Sequence, residues 1–273
     1  MQPALDSQLE SQPVLRVAAP LGTRMFAPER IKKIRNWQSQ EFYARLVMRP
    51  LAIVMMLFVA DWKWVTPNLV TTAANLAKLV GTALIVMDHQ DHALAAAIWI
   101  QVGLLLDHLD GTIARYRACG TTFGSFYDKV SDAVTWMLIT GAVGWAAYQE
   151  THDVVLPIAA LVSAYALLTR GYMKWLMTAE QRKQVVAAAP SEAKAHEPPS
   201  RTAMEWGLWF ASSLGRALAF EEVDLFFWVG LGLVLHELEL LVWLLAVSQV
   251  IGALIMIGAR ALEARSMDLS RAR

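Results

Sequence analysis

The stretch that decides the fold runs from residue 107 to residue 132 and reads DHLDGTIARYRACGTTFGSFYDKVSD. Its four aspartates stand at positions 107, 110, 128 and 132, between apolar segments long enough to be membrane helices. Carboxylates in such surroundings are costly unless a cation accompanies them. Clusters of carboxylate oxygens bind hard divalent cations. We therefore expect a helical membrane protein that holds a divalent metal.

The spacing of this stretch predicts two facing rows of carboxylates. Residues three or four apart share a helix face, so the first two aspartates align with Ala114, and the last two align with Gly124. The segment between them is rich in Gly, Thr and Ser and predicts a reversal. Metal ions held between the two helices could clamp a pyrophosphate. Gly111 and Gly124 would let a ligand approach the backbone, and Arg115 offers a fork suited to phosphate oxygens.

The composition supports a membrane protein. Of 273 residues 56% are apolar, eleven are Trp, and the formal net charge is zero. A neutral chain has no overall field for nucleic acid, which we exclude as a partner. Cys119 is the only cysteine, so no internal disulfide can form.

The hydrophobic pattern predicts an all-α membrane protein with a bundle of six transmembrane helices. The connecting segments alternate between acidic ones without Lys or Arg and strongly basic ones. By the positive-inside rule, both termini and the aspartates face the cytoplasm, as in a bacterial inner-membrane protein. The expected spans are 68–87, 93–113, 124–147, 154–177, 220–235 and 240–261.

The segments outside the bundle also have expected roles. Residues 1–27 read as a disordered tail, and residues 28–64 read as an amphipathic helix in the membrane interface. Residues 46–60 are apolar but short and contain Arg49 and Pro50, so we expect them to lie on the membrane; a seventh crossing is the alternative. The transmembrane domain is expected over 65–265, with a flexible cytoplasmic loop at about 179–202 and a basic tail at 266–273.

The aspartate frame resembles the signature of the CDP-alcohol phosphotransferases, membrane enzymes that join a CDP-linked alcohol to a second alcohol and release CMP. All eight specified positions of that signature match this sequence. The segment TPNLVT at 66–71 resembles a second element of the family, which opens the first span and helps to hold the nucleotide. The resemblance implies phospholipid synthesis with two divalent ions, Mg2+ or Mn2+.

The resemblance also implies roles for individual residues. Asp132 would be the general base that takes the proton of the acceptor hydroxyl, and it counts with the other three aspartates of the frame among the metal ligands. The implied metal ligands are Asp107, Asp110, Asp128 and Asp132. The residues implied to surround the CDP moiety are Pro67, Asn68, Thr71, Asp107, Gly111, Ala114, Arg115 and Gly124.

Four basic residues are candidates for binding the acceptor: Lys78, Arg117, Arg170 and Lys174. Lys78 continues the helix face of Asn68 and would lie within the membrane, where it binds substrate, snorkels or pairs with an aspartate. Arg170 and Lys174 are one turn apart, in a position where several family members grip an anionic acceptor. Their alternative is ordinary flanking charge on the cytoplasmic side.

The expected reaction transfers a phosphatidyl-type group from a CDP-linked lipid, such as CDP-diacylglycerol, to a small polar alcohol. A soluble CDP-polyol donor, such as CDP-inositol or CDP-choline, is the alternative. Ser125 follows Gly124 where the glycerol-phosphate enzymes have lysine, which argues against that acceptor. A membrane cation transporter and a silent scaffold remain further alternatives, and the resemblance makes a homodimer plausible.

Overall fold

The structure is a computed structural model that describes residues 28–35, 41–187, 204, 207 and 220–271. The expected tail at 1–27 therefore lies outside the described residues. Over the described residues the chain is helical and contains no strand. The helices are α1 (Pro28–Arg35), α2 (Arg49–Val59, entered through a π-helical turn at Ala44–Met48), α3 (Pro67–Arg117), α4 (Thr122–Thr151), α5 (Val155–Ala187), α6 (Glu222–Leu235) and α7 (Leu238–Arg271).

Four of the described helices are long and apolar enough to cross a membrane, which agrees with the expected integral membrane protein. These are Pro67–Arg117, Thr122–Thr151, Val155–Gln181 and Leu238–Leu269. Helix α6 has 14 residues and is shorter than the roughly 20 that a perpendicular crossing requires. It packs against α3 inside the bundle. Its Phe226 also lies against Trp136 of α4, with ring centroids 5.2 Å apart.

Helix α3 is a hairpin of two helical halves rather than one rod. Asp88 has non-helical dihedral angles, φ −164° and ψ 92°. Its carboxylate accepts the N–H groups of Gln90 and Asp91, both at 3.1 Å, and so caps the second half. The two halves are the first two spans that the sequence predicts, and they bring Lys78 beside Asp107.

Small residues allow the two halves of α3 to touch. A side-chain carbon at Gly81 would lie 2.7 Å from Ile100 Cγ1 and 2.9 Å from the carbonyl oxygen of Ala96. One of these neighbours is backbone and cannot turn aside, so only glycine fits without separating the halves.

Replacing Gly81 with alanine is expected to destabilise the protein by about 1–3 kcal/mol, because the hairpin must open to admit the methyl group. Gly141→Ala is the matched control, since a side chain at this glycine of α4 would meet nothing within 4 Å. That variant should be neutral or gain up to about 1 kcal/mol of helix propensity. Thermal unfolding in detergent micelles measures both. Equal melting temperatures for the two variants would refute the close contact.

The segment before α3 lies against the bundle. Met56 and Ala60 are fully buried with Val70, Leu109 and Ile113 of α3. The opposite face of α2 exposes large apolar side chains, namely Leu51, Val54 and Phe58. Pro50 occupies the first turn of α2, a position that needs no N–H donor, so it begins the helix rather than breaking it.

Two helices extend further than the sequence indicates. Helix α5 continues to Ala187 and so covers the first nine residues of the expected loop at about 179–202. Residues 179–187 contain Ala, Glu, Gln, Arg and Lys, which favour helix, and the next proline is Pro190. Residues 188–202 lie outside the described part. Helix α7 likewise continues through Arg271, into the expected basic tail at 266–273.

Candidate metal and nucleotide site

A tight connection between α3 and α4 places the aspartates together. Helix α3 ends at Arg117, and the left-handed backbone of the next residue, Ala118 (φ 50°), is typical of a helix C-terminus. Helix α4 begins after Thr121, whose hydroxyl accepts the N–H of Gly124 at 2.9 Å. The last turn of α3 therefore lies beside the first turns of α4, as the spacing predicts.

Three carboxylates converge in this region. One oxygen each from Asp107, Asp110 and Asp128 lies within 4.8 Å of the others. The hydroxyl of Thr71, on the first half of α3, lies within hydrogen-bond distance of Asp110 and of the carbonyl oxygen of Pro67, the latter at 3.1 Å, and its one proton is shared between these two acceptors. An all-oxygen set of three carboxylates fits a hard divalent cation such as Mg2+ or Mn2+, which takes oxygen ligands.

The fourth aspartate stands apart from this set. Asp132 Oδ1 lies 3.1 Å from Lys78 Nζ, and Asp132 Oδ2 lies 3.6 Å from Lys129 Nζ. Lys78 Nζ is also 3.0 Å from Asp107 Oδ1, and Lys129 Nζ is 3.1 Å from Asp128 Oδ2. Two ammonium groups thus join the carboxylate of Asp132 to those of Asp107 and Asp128.

A cavity of about 680 Å³ opens beside the carboxylates. This cavity is lined by every residue that the resemblance assigns to binding the CDP moiety except Asp107. Asp107 lines a neighbouring cavity together with Asp132. The lining residues are Thr66, Pro67, Asn68, Thr71, Asp110, Gly111, Ala114, Arg115, Cys119, Gly120, Thr121, Gly124, Ser125 and Asp128. Their roles remain predictions, but the fold brings them to one place.

Each of the two motif glycines leaves room for a different polar side chain. A side-chain carbon at Gly124 would lie 2.9 Å from Asn68 Oδ1 and 3.0 Å from Thr121 Oγ1, so glycine makes room for the Asn68 amide. A carbon at Gly111 would lie 3.2 Å from an Arg115 nitrogen, so the guanidinium lies over bare backbone. The polar groups of the cavity are therefore packed against glycine.

The sequence analysis assigned no binding role of its own to several residues that line this cavity. Thr66 and Thr121 are the N-caps of α3 and α4, and a threonine just before an apolar helix is a detectable signal. The others follow from the motif only by adjacency, and no pattern of residue types singles them out. They are Cys119, Gly120 and Ser125.

The four candidate acceptor residues are scattered. Lys78 is fully buried among the aspartates. Lys174 lines the cavity with Asp132 and a second cavity of about 220 Å³. Arg170 lines that second cavity, but it donates to Gln249 Oε1 at 2.7 Å and to the Phe220 carbonyl at 3.2 Å. Arg117 lines none of these cavities.

Arg117 binds backbone at the edge of the bundle. Its guanidinium donates to four carbonyl groups at the end of α2 and in the segment that links α2 to α3. The acceptors are Val59 at 3.2 Å, Ala60 at 2.9 Å, Trp62 at 2.9 Å and Val65 at 2.6 Å. All three guanidinium nitrogens are used in these bonds, so Arg117 stabilises the backbone that connects α2 to α3.

Glu41 is a further residue near the site that sequence reasoning missed. It lies just before α2 and lines the cavity of about 350 Å³ that also contains Asp132. Burial, followed by the nearby carboxylates of Glu222, Asp224 and Glu221, raises the pKa of Glu41 to about 7, and Lys174 opposes this shift.

This raised pKa predicts a pH-dependent stability. The folded protein binds the Glu41 proton more tightly than the unfolded chain does, so the associated stability is complete below about pH 4.5 and is lost as the pH rises through about 7. At alkaline pH the loss is at most about 3 kcal/mol. Glu41→Gln should remove part of the decline of melting temperature between about pH 5 and pH 8.5. Glu239→Gln, at an exposed position, is the control and should retain the full decline; identical curves for both variants would contradict the prediction.

Comparison with known proteins identifies the family. A sequence model described as CDP-alcohol phosphatidyltransferase matches residues 64–228, more than half of the chain. The chain belongs to this family. The range that matches the family model contains both halves of α3, the reversal, α4, α5 and the beginning of α6. The resemblance drawn from the aspartate frame is thereby confirmed.

Curated relatives within the family are phosphatidylinositol phosphate synthases. The protein from Corynebacterium glutamicum is 32% identical over 133 residues, which cover 48% of this chain and 57% of the relative. The protein from Mycobacterium tuberculosis is 31% identical over 110 residues, covering 40% and 49%. The chain thus spans about half the length of the curated relatives that it matches.

A solved family structure shares the fold. The crystal structure of Mycobacterium tuberculosis phosphatidylinositol phosphate synthase with CDP-DAG bound matches with a TM-score of 0.51 and 21% sequence identity. The match covers 78% of this chain and 93% of that chain. At this identity the likeness concerns the fold.

Proposed function

We propose that this protein transfers a phosphatidyl-type group from a CDP-linked lipid to a small polar alcohol and releases CMP. The observation that carries the proposal is the convergence of Asp107, Asp110 and Asp128 beside a cavity lined by the other motif residues. Family membership supports the same reaction. A transporter would need polar groups across the whole bilayer, whereas the polar groups of this site collect where the two ends of the α3 hairpin meet the beginning of α4.

The donor would bind in the cavity of about 680 Å³. Asn68 and Thr71 offer polar groups at the start of α3, and Arg115 offers a charged fork to the phosphates. A divalent ion held by the three carboxylates supplies positive charge that polarises a phosphoryl group and stabilises the CMP leaving group. Thr71 holds Asp110 in place through its hydroxyl.

Asp132 is the proposed general base. It lies beside the metal ligands but outside their set, and it lines the cavity of about 350 Å³ that also exposes Lys174 and Glu222. An acceptor hydroxyl in that cavity would come within reach of the carboxylate. Lys78 and Lys129 orient the carboxylate from both oxygens.

The names of the curated relatives make an inositol phosphate the first acceptor to test. Lys174 and Lys129 would supply positive charge to such an acceptor. Glu41 and Glu222 line the same cavity, so an alcohol that carries an ammonium group, such as serine, belongs in the same comparison. The candidate roles of Arg170 and Lys174 in binding the acceptor stay predictions.

We also propose a membrane arrangement for the site. The two halves of α3, together with α4, α5, α6 and α7, would make six crossings, and α1 and α2 would lie at the cytoplasmic surface. The basic residues of α1 and the stacked, exposed Trp62 and Trp64 are typical of an interface segment. The active site would then face the cytoplasm. A homodimer remains a prediction from the resemblance.

The proposed function is tested by CMP release from the purified full chain in detergent with Mg2+ or Mn2+. CDP-diacylglycerol is offered with inositol 1-phosphate, inositol, serine or glycerol 3-phosphate. We expect metal-dependent release with one acceptor and none when the metal is chelated. Release only from CDP-inositol or CDP-choline would favour the soluble donor, and no release from any donor would refute the proposal.

A further inference from the structure

The cavity of about 350 Å³ adjoins the proposed donor cavity. Four residues line both cavities, namely Asp110, Gly111, Arg115 and Asp128. Two of these residues are proposed metal ligands, so the cavities meet at the metal site. The proposed base, Asp132, lines the smaller cavity and not the larger one. A molecule in the smaller cavity would therefore face the donor across the metal ligands.

This cavity continues into the second one of about 220 Å³. The residues that line both of them form their common boundary, and they are Lys129, Asp132, Trp136, Lys174 and Glu222. A small alcohol whose hydroxyl reaches Asp132 would therefore lie beside Lys174 and Glu222. The charges of these side chains decide which alcohols fit.

Most of the cations around the two cavities already have partners. Lys78 and Lys129 form ion pairs with aspartates, and Arg170 donates to a side-chain amide oxygen and to a backbone carbonyl. Arg115 also lines the donor cavity, where the proposed function assigns it to the donor phosphates. In the part of the chain that the structure describes, the side chain of Lys174 has no hydrogen bond or ion pair. One lysine does not provide the several cations or the guanidinium fork that typically bind a phosphate dianion.

A carboxylate without a partner lies near this lysine. Glu222, the first residue of α6, interacts electrostatically with Lys174, Lys129 and Asp132. No hydrogen bond or ion pair joins its carboxylate to any residue that the structure describes. A second acidic side chain, that of Glu41, lines the same cavity. The boundary thus carries one ammonium and one carboxylate that are both available to a ligand.

Trp136 adds a hydrogen-bond donor at the same boundary. It is 3% exposed, and its ring packs against Phe226 with centroids 5.2 Å apart. Its indole N–H has no hydrogen-bond partner among the described residues. A buried donor without a partner costs free energy, and an oxygen atom of a bound ligand would satisfy it. The aromatic faces of the two rings also attract an ammonium group.

We propose that the acceptor is a zwitterionic amino alcohol of the serine class, with its ammonium held by Glu222 and its carboxylate held by Lys174. The inference rests on the proposed function and names its second substrate. In such a molecule the hydroxyl is attached to the carbon next to the one that carries both charged groups. The three groups therefore match the three side chains of one boundary.

The reaction with this acceptor balances in one step. The hydroxyl oxygen bonds to the phosphorus that carries the lipid, the bond from that phosphorus to CMP breaks, and the hydroxyl proton passes to Asp132. An inositol phosphate carries no positive charge for Glu222, and it would place its phosphate beside that carboxylate. The charges of the cavity therefore favour the amino alcohol.

Ligand binding tests the inference without turnover. The purified full chain in detergent, with Mg2+ and CMP present, is titrated by calorimetry with L-serine, glycerate and ethanolamine. Glycerate has a hydroxyl in place of the ammonium of serine, and ethanolamine lacks its carboxylate. We expect serine to bind on the order of 10- to 100-fold more tightly than either. Equal affinities for the three ligands, or tighter binding of inositol 1-phosphate than of serine, would overturn the inference.

Two variants each remove one charge of the boundary. In Glu222→Gln the preference for serine over glycerate should disappear, while the preference over ethanolamine remains. In Lys174→Met the preference over ethanolamine should disappear, while the preference over glycerate remains. Glu239→Gln and Lys63→Met are the matched controls, because they make the same changes at exposed positions outside the cavities, and they should keep both preferences. If Glu222→Gln and Lys174→Met weakened the binding of all three ligands equally, their residues would be structural and the inference would be wrong.

CMP release from CDP-diacylglycerol on the same preparations separates the two proposals. Selective binding of serine without CMP release from any donor would support the zwitterion site and refute the proposed reaction. CMP release with inositol 1-phosphate, without selective binding of serine, would support the reaction and overturn the inference.

Discussion

Asp132→Asn is expected to lower the rate of CMP release on the order of 100- to 10,000-fold, the usual contribution of a general base. An amide cannot take the proton of the acceptor hydroxyl, yet it preserves the shape of the side chain. Because Asp132 is outside the three-carboxylate set, binding of the first Mn2+ should persist. The measurements are initial rates of CMP release at saturating acceptor and Mn2+ binding to the same sample.

Two further variants show whether this loss is specific. Asp153→Asn, at an exposed carboxylate beyond the other end of α4, should keep the wild-type rate. Asp110→Asn should lose both the rate and the affinity for Mn2+, since Asp110 belongs to the three-carboxylate set. If Asp132→Asn retained more than about a tenth of the rate, another group would have to be the base.

Arg117→Ala is expected to destabilise the protein by about 3 kcal/mol, because charge-assisted hydrogen bonds contribute roughly 1.5–3 kcal/mol each and water replaces part of the loss. The variant removes one donor from each of four backbone carbonyls between Val59 and Val65, of which those of Val59 and Trp62 also accept a backbone N–H. The segment that positions Thr66 and Pro67 should loosen as a result. Thermal unfolding in detergent micelles measures the change.

Two variants distinguish this structural task from acceptor binding. Arg265→Ala removes an exposed arginine of α7 and should leave the melting temperature unchanged. Arg117→Lys keeps the charge but not the planar fork, so most of the destabilisation should remain. Below the unfolding temperature the KM for the acceptor should not change in Arg117→Lys. A raised KM with normal stability would instead assign Arg117 to the acceptor site.

Local patterns predicted much of the molecule because they report on helices directly. The apolar runs predicted where helices form, and the spacing of aspartates 107, 110, 128 and 132 predicted which of them share a helix face. The short reversal before Thr122 forced those faces to meet. The family likewise follows from this one stretch, since its eight specified residues lie between positions 107 and 132 on two adjoining helices.

Other features required packing between distant segments. The sequence left three alternatives for the amine of Lys78: it could bind substrate, extend to the membrane interface or pair with an aspartate. Its place between Asp107 and Asp132 follows from the bend of α3 at Asp88 and from the room that Gly103 leaves on the facing half. Arg117 resembled a candidate for acceptor binding until the carbonyls of the α2–α3 link were seen around it.

The sequence by itself therefore determined the helical membrane class, the aspartate frame and the chemistry that the frame supports. Periodicity and hydropathy act within one helix, and a single stretch of chain carries them. The tertiary structure alone decided which charges are paired and which remain for a ligand. Such pairing depends on distances between residues 29 and 54 positions apart, as for Lys78 with Asp107 and Asp132, and no local pattern encodes those distances.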